Sequence, residues 1–301
     1  MNKKVRAVSK ELSIEKTCTH GGVFEQISNL MASPEIKQNR LGWVTDNLKV
    51  NEKESDTIFF TGCSPYFAAY FGEPYSEQLL GSLQSAVKLM NKLGIEPTVL
   101  PNELCCGHDF LLRGEPEKFK MIATRISDQI KSSKAKRIIF TCPECYVTFR
   151  DDYLEAVGNL GVELVHLSQL VEQNLENLKF EQTDFITSYQ DPCRLGRYSG
   201  IYDQPRKILN SISGVEIKEM RHNRKNSICC GNTAWISCDA GTKEMQKQKV
   251  KEVKEAGSEN LLTACPKCFI HLTCAQDGDK KSNNGSIKIN DMWNFIGKHL
   301  Q

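Results

Sequence analysis

Ten of the 13 cysteines in this 301-residue chain fall into two sets of five. The first set is Cys63, the adjacent pair Cys105-Cys106 with Gly107 after it, and Cys142-Pro143-Glu144-Cys145. The second is Cys193, the pair Cys229-Cys230 with Gly231 after it, and Cys265-Pro266-Lys267-Cys268. Both read C…CCG…CPxC. The gaps are 41 and 35 residues in the first set and 35 and 34 in the second. Two such sets in one order at nearly one spacing mark a tandem repeat built around two metal or redox centres.

Four chemistries compete for these thiols. A structural zinc takes four ligands, and CPxC is half of a usual site. Each set has five cysteines and no second CxxC, so zinc fits less well, while staying open for one half. Disulfides need an oxidising compartment. The opening Met1-Asn2-Lys3-Lys4-Val5 lacks the apolar core of a signal peptide, so the expectation is a reducing, cytoplasmic setting. A catalytic dithiol at CPxC would follow a strand and open a helix, but it leaves both CCG pairs without a role. An iron–sulfur cluster uses thiolates as its ordinary ligands. Adjacent cysteines point apart and suit two irons or a bridge, and Gly107 and Gly231 let the backbone pass close to a bulky group. The ferredoxin run C-x2-C-x2-C-x3-C-P is missing, so a cluster here is not held like an ordinary cubane.

The elements that position the cysteines repeat as well. Thr57–Thr61, Arg137–Thr141, Phe185–Tyr189 and Asn260–Ala264 read as buried strands, each running into a cysteine site. Pro97–Leu100, Val162–His166, Val215–Met220 and Ile287–Ile289 read as further strands. Helices are expected over Ser76–Leu93, from Pro116, over Val147–Val157, Leu167–Leu175, Pro205–Ile212, Thr242–Ala256 and Met292–Leu300, the one from Thr242 largely solvated. Alternation of strand and helix means α/β architecture: two pseudo-symmetric Rossmann-like halves with parallel sheets. Cysteines at the carboxyl ends of strands gather at the edge where such sheets hold ligands. The expected division is an arm over 1–55, a first repeat domain over 56–178 and a second over 179–301. The arm reads as polar and partly ordered, with a helix over Phe24–Met31, and Cys18 and His20 read as an exposed segment.

Composition narrows the function. Net charge is +2 at pH 7, which offers no polycation for nucleic acid. No run of about 18 apolar residues is present, so no membrane-spanning helix is expected.

The two complete C…CCG…CPxC copies, with Asp191-Pro192-Cys193-Arg194-Leu195-Gly196-Arg197, resemble the cysteine-rich CCG-domain family, whose best-known member belongs to heterodisulfide reductase. The resemblance covers residues 57–301. It implies two [4Fe-4S] clusters of non-cubane type. Cys63, Cys105, Cys106, Cys142 and Cys145 would hold one; Cys193, Cys229, Cys230, Cys265 and Cys268 the other. It implies a catalytic subunit that reduces a disulfide or oxidises a thiol or persulfide. Its partners would be a ferredoxin-like iron–sulfur subunit and a flavoprotein subunit, with a small thiol or disulfide as substrate. Relatives that pass electrons to a quinone imply an alternative, an electron-transfer adaptor, and some members carry zinc in one repeat. The chain departs from the family at His108-Asp109-Phe110 and Asn232-Thr233-Ala234-Trp235, where a glycine-rich stretch is usual.

Three further residues are candidates for the chemistry. His108 follows the first CCG and could protonate a product thiolate. Arg194 and Arg197 flank Cys193 and could attract an anionic substrate or steady a cluster's charge. His166 reads as structural, as do Cys238 and Cys274. Tyr66, Phe67, Tyr70 and Phe71 read as core or shielding after Cys63.

Overall fold

The computed structural model describes residues 20–33, 35–36, 39–51, 55–100, 102–231, 240–277 and 286–301. In the first half β1 (Thr57–Phe60), β2 (Arg137–Phe140) and β3 (Glu163–His166) form a parallel sheet in the order β1-β2-β3. In the second half β4 (Phe185–Gln190), β5 (Val215–Ile217), β6 (Asn260–Thr263) and β7 (Lys288–Asp291) form a parallel sheet in the order β5-β4-β6-β7. The apolar runs become inner strands because helices cover both faces: β1 is buried throughout. The first half keeps only a trace of the strand matching β5. Residues 97–100 pair with β1 through a single bridge, Ile58 to Thr98, because Pro97 offers no N–H to a ladder. With that trace counted, the strand order is the same in both halves.

The halves pack reciprocally. The helix Tyr75–Lys92 of the first half lies against Met292–His299 of the second. The helix Asp203–Asn210 of the second lies against Leu167–Gln173 of the first. Each contact pairs a helix between a half's first strand and its cysteine pair with the other half's last helix, the mark of a pseudo-two-fold axis. Close approach at the first contact needs small residues, since a Cβ on Gly297 would stand 1.9 Å from Ser85 Oγ.

Two expectations change. Residues 20–51, read as arm, contribute to the core: Val23, Phe24, Ile27, Met31, Trp43 and Leu48 are all buried. The helix expected over Phe24–Met31 is present as Val23–Ala32, and its apolar spacing makes one inner face. His20 is half-buried against Phe24, Phe71 and His271, not exposed; Cys18 lies outside the described residues. The helix Ala240–Glu255 is exposed or half-buried at most positions, as expected, but it has an inner face. Thr242, Gln246, Lys249, Glu252 and Val253 form a buried and largely polar stripe at helical spacing.

Candidate functional site

The first set is held by a braced turn. After β1 the chain turns at Thr61-Gly62 into Cys63. Glu103, fully buried, accepts from Thr61 N at 3.1 Å and Gly62 N at 2.8 Å. Arg40 donates to Glu103 at 2.6 Å, to Thr61 Oγ1 at 2.7 Å and to Gly62 O at 2.7 Å. This ion pair fixes the direction of Cys63. Cys105 and Cys106 follow Glu103 after one residue, Leu104, and Gly107 sits at φ +85°, where an added Cβ would stand 2.6 Å from the Phe119 ring. Cys142 ends the turn after β2, and Cys145 lies in the helix Pro143–Val147. His166 supports that turn: its Nε2 lies 3.2 Å from Thr141 O and its Nδ1 2.8 Å from Ser168 Oγ. Burial holds it at about 3, so it is structural, as expected.

The five thiols meet. Cys63 Sγ donates to Cys105 Sγ at 3.6 Å and Gly107 N donates to Cys105 Sγ at 3.4 Å. Hydrogen bonds from Cys106 and Cys63 hold the Cys105 thiol well below its ordinary value. Cys106 also interacts with Cys145, and Cys145 with Cys142. All but the half-buried Cys63 are buried.

The second set repeats the brace with other residues. Asp191, at the end of β4, is bonded by Arg206 Nη1 at 2.7 Å and Nη2 at 2.9 Å, and by Arg224 N at 2.7 Å. Cys193 follows two residues later and is half-buried. Gly231 lies at φ +89°, with Thr242 Cγ2 2.7 Å from an added Cβ. Cys268 Sγ donates to Cys230 Sγ at 3.3 Å, Cys230 interacts with Cys229, and Cys265 with Cys268. Lys249, fully buried, reaches Ser227 Oγ at 3.4 Å, and the thiols of Cys268 and Cys230 act on its charge. Burial pulls this ammonium below its ordinary value.

A cleft opens at the first set. Cys63, Cys105, Cys106, Cys142 and Cys145 line it with Ser64, Phe67, His108, Asp109 and Glu144, and Pro266 and Lys267 arrive from the second half. His108 is placed there as expected. Its Nδ1 lies 3.3 Å from Thr148 Oγ1, and its buried Nε2 makes no hydrogen bond. Burial, with the charges of Arg194 and Lys267, holds it well below the usual histidine range. An imidazole so held is neutral at pH 7, the wrong state for a proton donor. Lys267 bonds Asp109 Oδ1 at 2.5 Å and Glu144 Oε2 at 3.0 Å. Burial works against this ammonium, but the two carboxylates outweigh it and hold its pKa well above the ordinary value. His108, Asp109 and Glu144 bring one nitrogen and two carboxylate oxygens within 4.8 Å of one another, and the lysine ammonium takes the cation's place among them.

The two arginines separate. Arg194 stacks over Tyr198 at 4.2 Å and is felt at His108, in the first-half cleft. Arg197 is turned to backbone, donating to Ser227 O and to Lys225 O at 3.5 Å, and so ties down the segment that leads to Cys229. Cys274 is half-buried; Cys238 and Asn232-Thr233-Ala234-Trp235 lie outside the described residues. Sequence reading missed Glu103, Asp109, Lys249 and Lys267. Only Lys267 left a signal: aligning the two CPxC motifs sets it opposite Glu144.

The donor set fits an iron–sulfur group. The five thiols of the first set and Cys229, Cys230, Cys265 and Cys268 of the second are grouped, mostly buried, and soft ligands. Tyr153 Oη is buried without a partner while the charges of Cys106, Cys105 and Cys145 act on it. Together with His108 Nε2, it is a polar group that a bound cluster would satisfy.

Comparison with known proteins agrees with this chemistry. The family described as CCG, cysteine-rich domain, matches residues 57–150 and 187–273. A component of the dihydromethanophenazine:CoB--CoM heterodisulfide reductase of Methanosarcina acetivorans is 29% identical over 93% of this chain and 68% of its own length. The EtfAB:quinone oxidoreductase of Syntrophomonas wolfei is 25% identical over 87% of this chain and 38% of its own. The chain therefore spans about two thirds or less of these relatives. The crystal structure of a hypothetical protein from Helicobacter pylori superposes with a TM-score of 0.58 at 14% identity, covering 92% of this chain and 57% of that one, a likeness of fold.

Proposed function

The chain belongs to the cysteine-rich CCG-domain family, and on that premise we propose that it is the iron–sulfur subunit of a heterodisulfide-reductase-like complex, acting on a small disulfide, thiol or persulfide. The observation that supports this is the gathering of all five cysteines of the first set round one pocket, with Cys63 half-buried where the others are buried. A fully shielded centre suits outer-sphere electron transfer; a centre with a ligand partly reached from the surface suits a substrate.

In this reading Cys63, Cys105, Cys106, Cys142 and Cys145 hold one [4Fe-4S] group of non-cubane type, and Cys193, Cys229, Cys230, Cys265 and Cys268 hold a second. Such a group supplies one-electron steps over a range of potentials of roughly −700 to +450 mV. The Arg40–Glu103 and Arg206–Asp191 pairs keep the turns at Cys63 and Cys193 from moving when charge changes. Phe67, 2% exposed, keeps the inner wall of the cleft apolar. His108 would face the bound group through Nε2. A ferredoxin-like subunit and a flavoprotein deliver electrons, and the complex works in the cytoplasm; no helix among the described residues is long and apolar enough to cross a membrane.

The likeness to EtfAB:quinone oxidoreductase favours a second reading, an adaptor that passes electrons to a quinone. Adding thiols to the oxidised protein and following its electron paramagnetic resonance spectrum separates the two. A spectrum changed by a small thiol, and not by a quinone analogue, is the expected result. The reverse pattern replaces the enzyme reading with the adaptor.

A further inference from the structure

The two CPxC motifs carry opposite charges at one position. Glu144 is the third residue of Cys142-Pro143-Glu144-Cys145, and Lys267 is the third residue of Cys265-Pro266-Lys267-Cys268. They meet at 3.0 Å, with both side chains 7% exposed. The pseudo-two-fold axis that relates the halves thus passes beside an ion pair that two identical repeats could not form, since two glutamates or two lysines would repel. Lys267 then continues to Asp109, three residues after Cys106. One ammonium therefore joins the CPxC loop of the second set to the CPxC and CCG loops of the first. The proximity is electrostatic as well as steric: the charges of Cys142 and Glu144 act on Cys265.

We infer that Lys267 is a positioning residue of the first-repeat site, supplied by the second repeat, and that through it the charge state of one centre is felt at the other. The inference rests on the cluster reading above. It goes beyond that reading in making the first site incomplete without the second half. Pro266 and Lys267 form one wall of the first-set cleft, so a ligand there touches both repeats. A buried cation beside a redox centre favours its reduced form, because reduction adds negative charge in a medium of low effective dielectric. Removing the cation leaves Asp109 and Glu144 uncompensated, which works in the same direction.

The test uses the anaerobically prepared full chain, with the first centre assigned as the signal lost in Cys106→Ser. Its midpoint potential is followed in wild type, Lys267→Met and Lys267→Arg. Lys267→Met is expected to lower the one-electron reduction equilibrium at least tenfold, about 59 mV, and Lys267→Arg to hold it near wild type. If Lys267→Met does not retain its clusters, Lys267→Arg, which keeps a cation between Asp109 and Glu144, is expected to retain iron content and potential together. An unchanged first-centre potential in Lys267→Met, or a Lys267→Arg variant no better than Lys267→Met, overturns the inference. Absence of iron and sulfide from the wild-type chain is a different failure, that of the cluster reading, and the inference falls with it.

Discussion

The two repeats share a scaffold and differ in what stands behind the sulfurs. Each uses a buried arginine–carboxylate pair to brace the turn before its first cysteine, Arg40–Glu103 in one and Arg206–Asp191 in the other. Each has a glycine at positive φ after the cysteine pair. The helix that follows is different. In the first repeat Pro116–Ser132 turns Phe119, Ile122, Ala123, Ile126 and Ile130 inward. In the second, Ala240–Glu255 turns Thr242, Gln246, Lys249 and Glu252 inward. The first set is backed by hydrocarbon and lines a pocket. The second is backed by a buried lysine–glutamate pair, Lys249 and Glu252, at 3.7 Å. A duplicated frame can thus keep its ligands while their surroundings diverge.

Substitutions made in one repeat at a time probe this difference. The largest effect is expected at the sulfurs: Cys106→Ser should remove about half the bound iron and leave the second centre, and Cys230→Ser the converse. Equal loss of both centres in either variant would contradict two separate sites. Next come the braces. Arg40→Ala and Arg206→Ala each strand a buried carboxylate and should cost about 3–5 kcal/mol in denaturant unfolding. A cost under about 1 kcal/mol in one half would mark that pair as no more than a surface contact. Gly107→Ala and Gly231→Ala place a Cβ against Phe119 and Thr242 at positive φ, and about 1–3 kcal/mol of stability should go with each.

The smallest effect has opposite signs in the two halves. His166 and Asp291 hold equivalent places, each the last residue of a final strand and the cap of the helix after it. Burial holds His166 at about 3, against 6.5. Its contribution is present above pH 6.5 and is lost as pH falls toward 3. Burial lifts Asp291 to about 7, against 3.8. Its contribution is full below pH 3.8 and is lost as pH rises through 7. Asp291→Asn should therefore gain about 1–2 kcal/mol relative to wild type between pH 5 and pH 8. Thermal unfolding across that range checks it, and parallel curves would show that Asp291 stays ionised.

What the sequence made legible was local. β1, β2, β4 and β6 were readable as apolar runs entering cysteines, and Tyr75–Lys92 as one apolar helical face, because burial on one side imposes a period. Pro97 was a warning against a full strand at 97–100 that the apolar run masked. The helix Pro266–Asp277 was missed although CPxC opens it; its apolar residues are not gathered on one face, and Phe269, Ile270 and Leu272 are all buried. The braces were out of reach for another reason. Arg40 and Glu103 are 63 positions apart, and nothing in a local period announces which charge a buried carboxylate will find. The cysteines showed where the site would be; the charges around it depend on how the halves pack.

Iron, zinc and acid-labile sulfide, measured together on the anaerobically purified chain, decide whether two clusters are present. About eight irons per chain with matching sulfide, and zinc well below one, is the predicted result for two four-iron centres. Zinc near one per repeat with neither iron nor sulfide would contradict it.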